Sequence, residues 1–254
     1  MDVAGHAALV SGGASGLGQA AAVALAAAGA KVAILDLDAA AADAAAAAFG
    51  GIGLHCDISD APATEAAVAA ARERHGPARI VVNCAGVATP GRIVERDGAP
   101  MPLDDFRRVV EINLIGTFNL LRLAAADMVG LAPLDEGERG VIVATASVAA
   151  YEGQVGQAAY SASKGGVVGL TLPAARELAR HGIRVVAIAP GLFATPMLRG
   201  LPQSVQEGLA ATIPFPPRLG RPEEYAELVL SLCRNRMING ETIRLDGALR
   251  MAPR

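Results

Sequence analysis

Tryptophan is absent from the 254 residues, and aromatic residues of all kinds make up 3% of the chain. Proteins that grip single-stranded nucleic acid stack its bases on aromatic side chains, and this sequence has almost nothing from which to build such a platform. Positive charge is not in excess either. Lys and Arg number 22 against 25 Asp and Glu, a formal net charge of −3, and no block of one sign stands out. A nucleic-acid partner is therefore not expected. Cysteine is scarce: Cys56, Cys84 and Cys233 are an odd number without metal-ligand spacing. They read as reduced thiols of a cytoplasmic protein, with neither a disulfide framework nor a metal site. Residues 7–30 carry no formal charge, which on length alone would suffice to span a bilayer. Turn residues from Ser11 to Gly18 break that stretch, and Asp2 stands where a secretory signal would be basic. No membrane segment is expected.

What the chain does have is apolar residues, 52% of the total. A chain of this length buries roughly three quarters of its unfolded surface. Short apolar runs recur from end to end, at Ala7–Val10, Val32–Leu35, Leu54–Asp57, Ile80–Asn83, Val141–Ala146, Val185–Ala189 and Thr242–Leu245. Helix-length segments separate most of them, near 17–28, 39–48, 61–75, 104–129, 158–180 and 222–233. The Ala-rich run 39–48 reads as a surface helix, since Ala is the best helix former. Continuously apolar strands alternating with helices predict a doubly wound parallel sheet of about seven strands, with helices on both faces. No linker divides residues 1–254, so one domain is expected. Two Pro- and Gly-containing stretches, 88–103 and 191–221, are long for loops of a compact domain, and such loops are usually functional. The second reads as a lid over a site at the carboxyl ends of the strands.

Ser11-Gly12-Gly13-Ala14-Ser15-Gly16-Leu17-Gly18 follows the first strand and opens a helix. Glycines there allow a tight turn and close approach of backbone to a pyrophosphate, and the helix N-terminus offers free N–H groups. Asp36 ends the second strand, 18 residues after Gly18, where a carboxylate accepts from ribose hydroxyls. It repels a 2′-phosphate, and no Lys or Arg lies in 37–42. The expected dinucleotide is therefore NAD, held in a Rossmann fold. A helix N-cap is the plain alternative for Asp36. Asp57 and Ile58 are candidates to flank the adenine, and Asn83, Ala85 and Gly86 to lie beside the cofactor, although turn chemistry alone would also explain them.

Tyr160 and Lys164 are four residues apart and share one helix face. A cation beside a phenol favours the phenolate and makes a usable acid/base for an alcohol oxygen. Ser147 lies 13 residues before Tyr160, past the fifth strand, placed to donate to the same oxygen. Taken alone, the pair would read as a lysine snorkelling past an aromatic ring; the upstream glycine turn favours chemistry.

These residues together resemble the short-chain dehydrogenase/reductase family. Ser11, Gly12, Gly16 and Gly18 match its glycine motif, with Ser in place of Thr. Asn83-Cys84-Ala85-Gly86 matches its Asn-Asn-Ala-Gly element, with Cys in the second place. The resemblance implies a catalytic set of Asn113, Ser147, Tyr160 and Lys164, in which Lys lowers the Tyr pKa and binds the nicotinamide ribose. Asn113 would hold a water of a proton relay. Ser11, Gly12, Ser15, Gly16, Leu17 and Gly18, the Pro190-Gly191 turn, Phe193 and Thr195 would contact the cofactor. The runs from Ala146 to Tyr160, Ile188 to Phe193 and Asn239 to Gly247 resemble a subgroup, the type II 3-hydroxyacyl-CoA dehydrogenases, also called type 10 17β-hydroxysteroid dehydrogenases. The subgroup implies NAD-dependent oxidation of (S)-3-hydroxyacyl-CoA to 3-ketoacyl-CoA, and a homotetramer joined through the helices at 104–129 and 158–180. Another secondary alcohol (a steroid or a 3-hydroxyacid) or a non-catalytic NAD-binding scaffold are the alternatives. Gln154 is explained equally by a substrate contact or a loop hydrogen bond. Phe193, Met197, Leu198, Leu201, Leu209, Ile213 and Phe215 of the lid are candidates to line an acyl pocket, with Leu198 the chosen contact. Arg92 and Arg96 are weak candidates for the coenzyme A phosphates.

Overall fold

Val, Ile, Leu and Ala dominate the strands because both faces of the sheet are covered. All six residues of β5 (Gly140–Thr145) and all eight of β6 (Ile183–Pro190) are buried, as expected for a parallel sheet between two helical layers. The other strands are β1 (Ala7–Ser11), β2 (Lys31–Asp36), β3 (Ile52–His55), β4 (Ile80–Asn83) and β7 (Thr242–Leu245). The computed structural model describes residues 1–253; Arg254 and the side chain of Met197, one of the lid candidates, lie outside the described part. The seven strands are all parallel, in the order β3-β2-β1-β4-β5-β6-β7.

Alternate strand residues point to opposite faces. Val10, Ile34 and Val82 pack with helices α1 (Gly16–Ala27), α2 (Ala39–Ala47) and α9 (Pro222–Arg234). Leu9, Leu35 and Val81 pack with α3 (Ala61–His75), α5 (Gly116–Val129) and α6 (Ala158–Ala179). The alanines of α2 serve close approach: a Cβ on Gly53 of β3 would strike the backbone at Ala42. Residues 7–30 are thus divided among β1, the glycine turn and α1.

The helix expected at 104–129 is present with a defect. It runs as α4 (Leu103–Val110), a π-helical turn at Glu111–Ile115, and α5. By length and composition Leu103–Val129 is apolar enough to cross a membrane, and half of its most apolar stretch is buried in the fold. Single π turns inside α-helices occur mostly at functional sites, and this one carries Asn113. The 191–221 segment contains two short helices, α7 (Pro196–Arg199) and α8 (Gln203–Ala210). The 88–103 segment is folded back on itself by a bridge between Val94 and Pro100 and joined to Gln157 through Gly91.

Strand order reverses at β1, whose neighbours β2 and β4 lead the chain in opposite directions. Crossover connections diverge there and leave a crevice at the carboxyl ends of the strands.

Candidate active site

That crevice is a cleft of about 570 Å³, lined from the ends of β1, β2, β4, β5 and β6. Gly12 sits at its base with φ +63°, and a Cβ there would stand 2.7 Å from the Ala85 nitrogen. A Cβ on Gly18 would run into the Gly12 carbonyl. The turn, the start of α1 and the end of β4 are interlocked at backbone distance, which only glycine permits. Ser15 is the N-cap of α1 but makes no side-chain capping bond, so the first-turn N–H groups face the cleft free to bind an anion. At the cleft's other shoulder, Asp36 accepts from Ala14 N at 3.0 Å and Asp38 N at 3.2 Å. Each carboxylate oxygen retains accepting capacity for a ribose hydroxyl. These residues fit a dinucleotide, with pyrophosphate on the glycine turn and ribose at Asp36.

Deeper in the cleft stand Ser147, Tyr160 and Lys164. Ser147 follows β5 in extended conformation and caps a short turn, accepting from Ala149 N at 3.1 Å. Lys164 is buried on α6, donates to the Thr145 carbonyl at 2.7 Å and lies 5.9 Å from the centre of the Tyr160 ring. Burial pulls the Lys164 ammonium down to about 8. The phenol does not behave as the sequence reading expects. Burial raises the Tyr160 pKa above its ordinary value, and the Ser147 hydroxyl offsets part of that rise. Loss of solvation is the larger effect, and it works against the charged phenolate.

Asn113 is fully buried behind this pair. Its Oδ1 accepts from Val87 N at 2.8 Å, and its Nδ2 donates to the Val87 carbonyl at 2.9 Å and Ser163 Oγ at 3.0 Å. A Cβ on Gly86 would lie 3.0 Å from Asn113 Oδ1 and 3.5 Å from Lys164 Nζ, so the loop after β4 passes between the two at hydrogen-only clearance. The Asn113 side chain is a brace for this loop. Beneath it, Tyr225 Oη is 2.8 Å from Thr145 Oγ1 and 3.3 Å from Cys84 Sγ, and Thr145 Oγ1 donates to Cys84 at 3.4 Å. This closed ring gives the Cys in Asn-Cys-Ala-Gly a role: it ties the cleft floor to α9.

The family described as enoyl-(acyl carrier protein) reductase matches residues 12–249. The 3-hydroxyacyl-CoA dehydrogenase type-2 of Bos taurus is 51% identical over 257 residues, 99% of this chain and 97% of that one. That of Homo sapiens is 50% identical over 254 residues, with the same coverage. The chain belongs to the short-chain dehydrogenase/reductase family. It is an oxidoreductase of the NAD(P)-dependent kind. The crystal structure of the 3-hydroxyacyl-CoA dehydrogenase type-2 from Mycobacterium avium superposes with a TM-score of 0.94 at 43% identity, covering 98% of both chains.

Most short-chain dehydrogenase/reductase positions picked out in the sequence line the cleft: Gly12, Ser15, Gly16, Leu17, Gly18, Asp36, Asp57, Ile58, Ala85, Gly86, Ser147, Tyr160, Lys164, Pro190, Gly191, Phe193, Thr195 and Leu198. Ser11 and Asn83 are buried one layer behind, the Ser11 hydroxyl 3.4 Å from Asn83 Oδ1. Gln154 is not brought to the cleft; its amide donates to the Ala252 carbonyl at 2.9 Å. Of the lid candidates, Phe193 and Leu198 line the cleft, Ile213 is buried against Gly247, and Leu201 and Phe215 are exposed. Gln157, Arg108, Ile112 and Met251 also line the cleft. The sequence pattern does not single them out. Gln157 stands three residues before Tyr160, a position local spacing can reach; Met251 carries no local signal at all.

Proposed function

We propose that this enzyme interconverts (S)-3-hydroxyacyl-CoA and 3-ketoacyl-CoA with NAD as the dinucleotide. The observation that carries the reading is the convergence of Ser147, Tyr160 and Lys164 at the deep end of a cleft whose other end is the glycine turn and Asp36. A bound NAD would supply hydride acceptance at the substrate carbon. The chain's own part is proton handling and orientation. Tyr160 takes the hydroxyl proton of the alcohol, or returns it to the ketone oxygen. Ser147 donates a hydrogen bond to that oxygen and fixes its place. Lys164, anchored on the Thr145 carbonyl beside the Tyr160 ring, would hold the nicotinamide ribose. The thioester class rests on the names of relatives similar over nearly the whole chain and on apolar Val148, Phe193 and Leu198 in the wall.

A homo-oligomer is part of the proposal. It is supported by Ile115, Phe118 and Leu172, each more than two-fifths exposed on the α4–α5 and α6 helices. Cytoplasmic placement is also proposed, supported by three free cysteines. Arg92 and Arg96 stand exposed beside Glu95 and Asp97, and the neighbouring carboxylates weaken their case as a coenzyme A phosphate site.

The test follows NADH absorbance with purified protein and acetoacetyl-CoA, then repeats with NADPH. Rapid consumption of NADH alone is expected; an inert protein that still binds NADH would overturn the substrate reading. The enantiomers of 3-hydroxybutyryl-CoA, offered separately with NAD, read the stereochemistry. Asp36→Ala should lower kcat/KM for NADH by roughly ten- to a hundredfold, the worth of hydrogen bonds to a charged group. NADPH should lose less, since repulsion of its phosphate is also removed. An unchanged ratio of the two efficiencies would remove Asp36 as the selector.

A further inference from the structure

Past β7 the chain turns sharply, with Ala248 N donating to Asp246 Oδ1 at 3.0 Å and Leu249 N to the Asp246 carbonyl at 3.0 Å. Leu249 is buried and anchors the turn, and its carbonyl accepts from Arg244 Nη2 at 2.9 Å. Residues 249–253 then run as a strap, neither helix nor strand, across the 152–157 segment that joins Ser147 to Tyr160. Three hydrogen bonds hold it there. Met251 N donates to Glu152 Oε2 at 3.2 Å, Gln154 Nε2 to the Ala252 carbonyl at 2.9 Å, and Val155 N to the Pro253 carbonyl at 3.0 Å. Glu152 is itself fixed by both arms of the Arg244 guanidinium, at 2.8 and 3.0 Å, with Arg250 Nε at 3.4 Å. The one strap side chain that this arrangement delivers to the cleft is Met251, half-buried.

We propose that the strap is a specificity element, with Met251 closing the acyl side of the substrate site and Glu152 and Gln154 positioning it. The proposal rests on the hydroxyacyl-CoA reading above. Three arguments carry it. The segment clamped by the strap lies between the two catalytic hydroxyls in the chain, so the clamp ties Met251, a residue of the cleft wall, to the catalytic segment. The side chain presented there is an unbranched thioether, which packs against variable apolar shapes and makes no demand for a polar partner; the adjoining part of the ligand is therefore hydrocarbon. And the strap has no regular structure of its own, so the polar clamp decides where Met251 stands. This gives Gln154, three residues from Gln157 and turned away from the cleft, a part in substrate choice without contact.

The test measures kcat/KM with NADH for acetoacetyl-CoA and for a ten-carbon 3-ketoacyl-CoA, in the full-length protein and its variants. In Met251→Trp the long-to-short ratio should fall by about tenfold or more, since a filled pocket rejects extra methylenes on that scale. In Met251→Ala the ratio should rise severalfold, with KM moving more than kcat. Gln154→Ala should move the ratio in the same direction as Met251→Ala, and the double variant should go no further, because both act through one side chain. Additive effects would show that Gln154 acts elsewhere and would overturn its positioning role. Variants that keep the wild-type ratio, in a wild type that consumes NADH with both thioesters, would overturn the strap and leave the hydroxyacyl-CoA reading intact. A wild type inert to both thioesters would overturn that reading and the acyl assignment of Met251 with it.

Discussion

Tyr160→Phe is expected to lower kcat in both directions by about 10²–10⁴-fold, the usual worth of one general acid/base, while NADH binds as in the wild type. The substitution deletes one oxygen and keeps the ring that lies beside the Lys164 ammonium at 5.9 Å, so packing in the cleft is preserved. No neighbour can take over the proton. Ser147 is an alcohol, by its chemistry a far weaker acid than a phenol, and its oxygen already accepts from Ala149 N; the Cys84 thiol is pushed up by burial. Steady-state rates with acetoacetyl-CoA and NADH, alongside fluorescence titration of NADH, separate the two effects. A kcat within tenfold of wild type would remove Tyr160 from its role. Loss of NADH binding together with turnover would instead mean that the hydroxyl's main work is holding the cofactor.

Much of this site is legible in the sequence because its parts are local. The glycine turn spans eight residues, and Tyr160 and Lys164 are one helical turn apart, so spacing alone puts them on one face. The seven strands are equally plain, since burial on both faces demands unbroken apolar runs. What escapes is whatever depends on segments meeting from afar. Gln154 and Ala252 are 98 residues apart, and nothing near either tells of the other. Exposure of Leu201 and Phe215 follows from how the lid's two short helices lie, which their composition does not encode. The π turn at Glu111–Ile115 steps the apolar pattern by about 100°, but apolar residues at 109, 110, 112, 114, 115, 118, 120 and 121 crowd the stretch and hide the step. It is Asn113's bonds to Val87 and Ser163 that give the defect its purpose. The Tyr160 pKa escapes for another reason: spacing shows that a cation is near, but the sign of the net shift depends on burial, which is a property of the whole fold.

Lys164→Met should cost about 10²–10³-fold in kcat, the scale of losing one preorganised charge at the reacting oxygen, yet leave the protein as stable or more so at pH 7. The ammonium is buried with its pKa lowered from 10.5 to about 8. A shift of that size corresponds to a burial penalty on the order of 3 kcal/mol when the group is charged. Methionine removes the penalty, and against this stands the Thr145 carbonyl losing its donor, about 1–3 kcal/mol. The pH dependence gives the sharper check. With the folded pKa below the unfolded one, the unfolded chain binds more protons between pH 8 and 10.5, so wild-type stability rises with pH across that window. Below pH 8 both states are charged and the penalty is complete. The stability advantage of Lys164→Met is therefore largest below pH 8 and shrinks as pH climbs toward 10.5. Urea unfolding of both proteins at pH 7, 8, 9 and 10 measures it. A gap that stays constant, or widens with pH, would mean that Lys164 is not held at the expense of its charge.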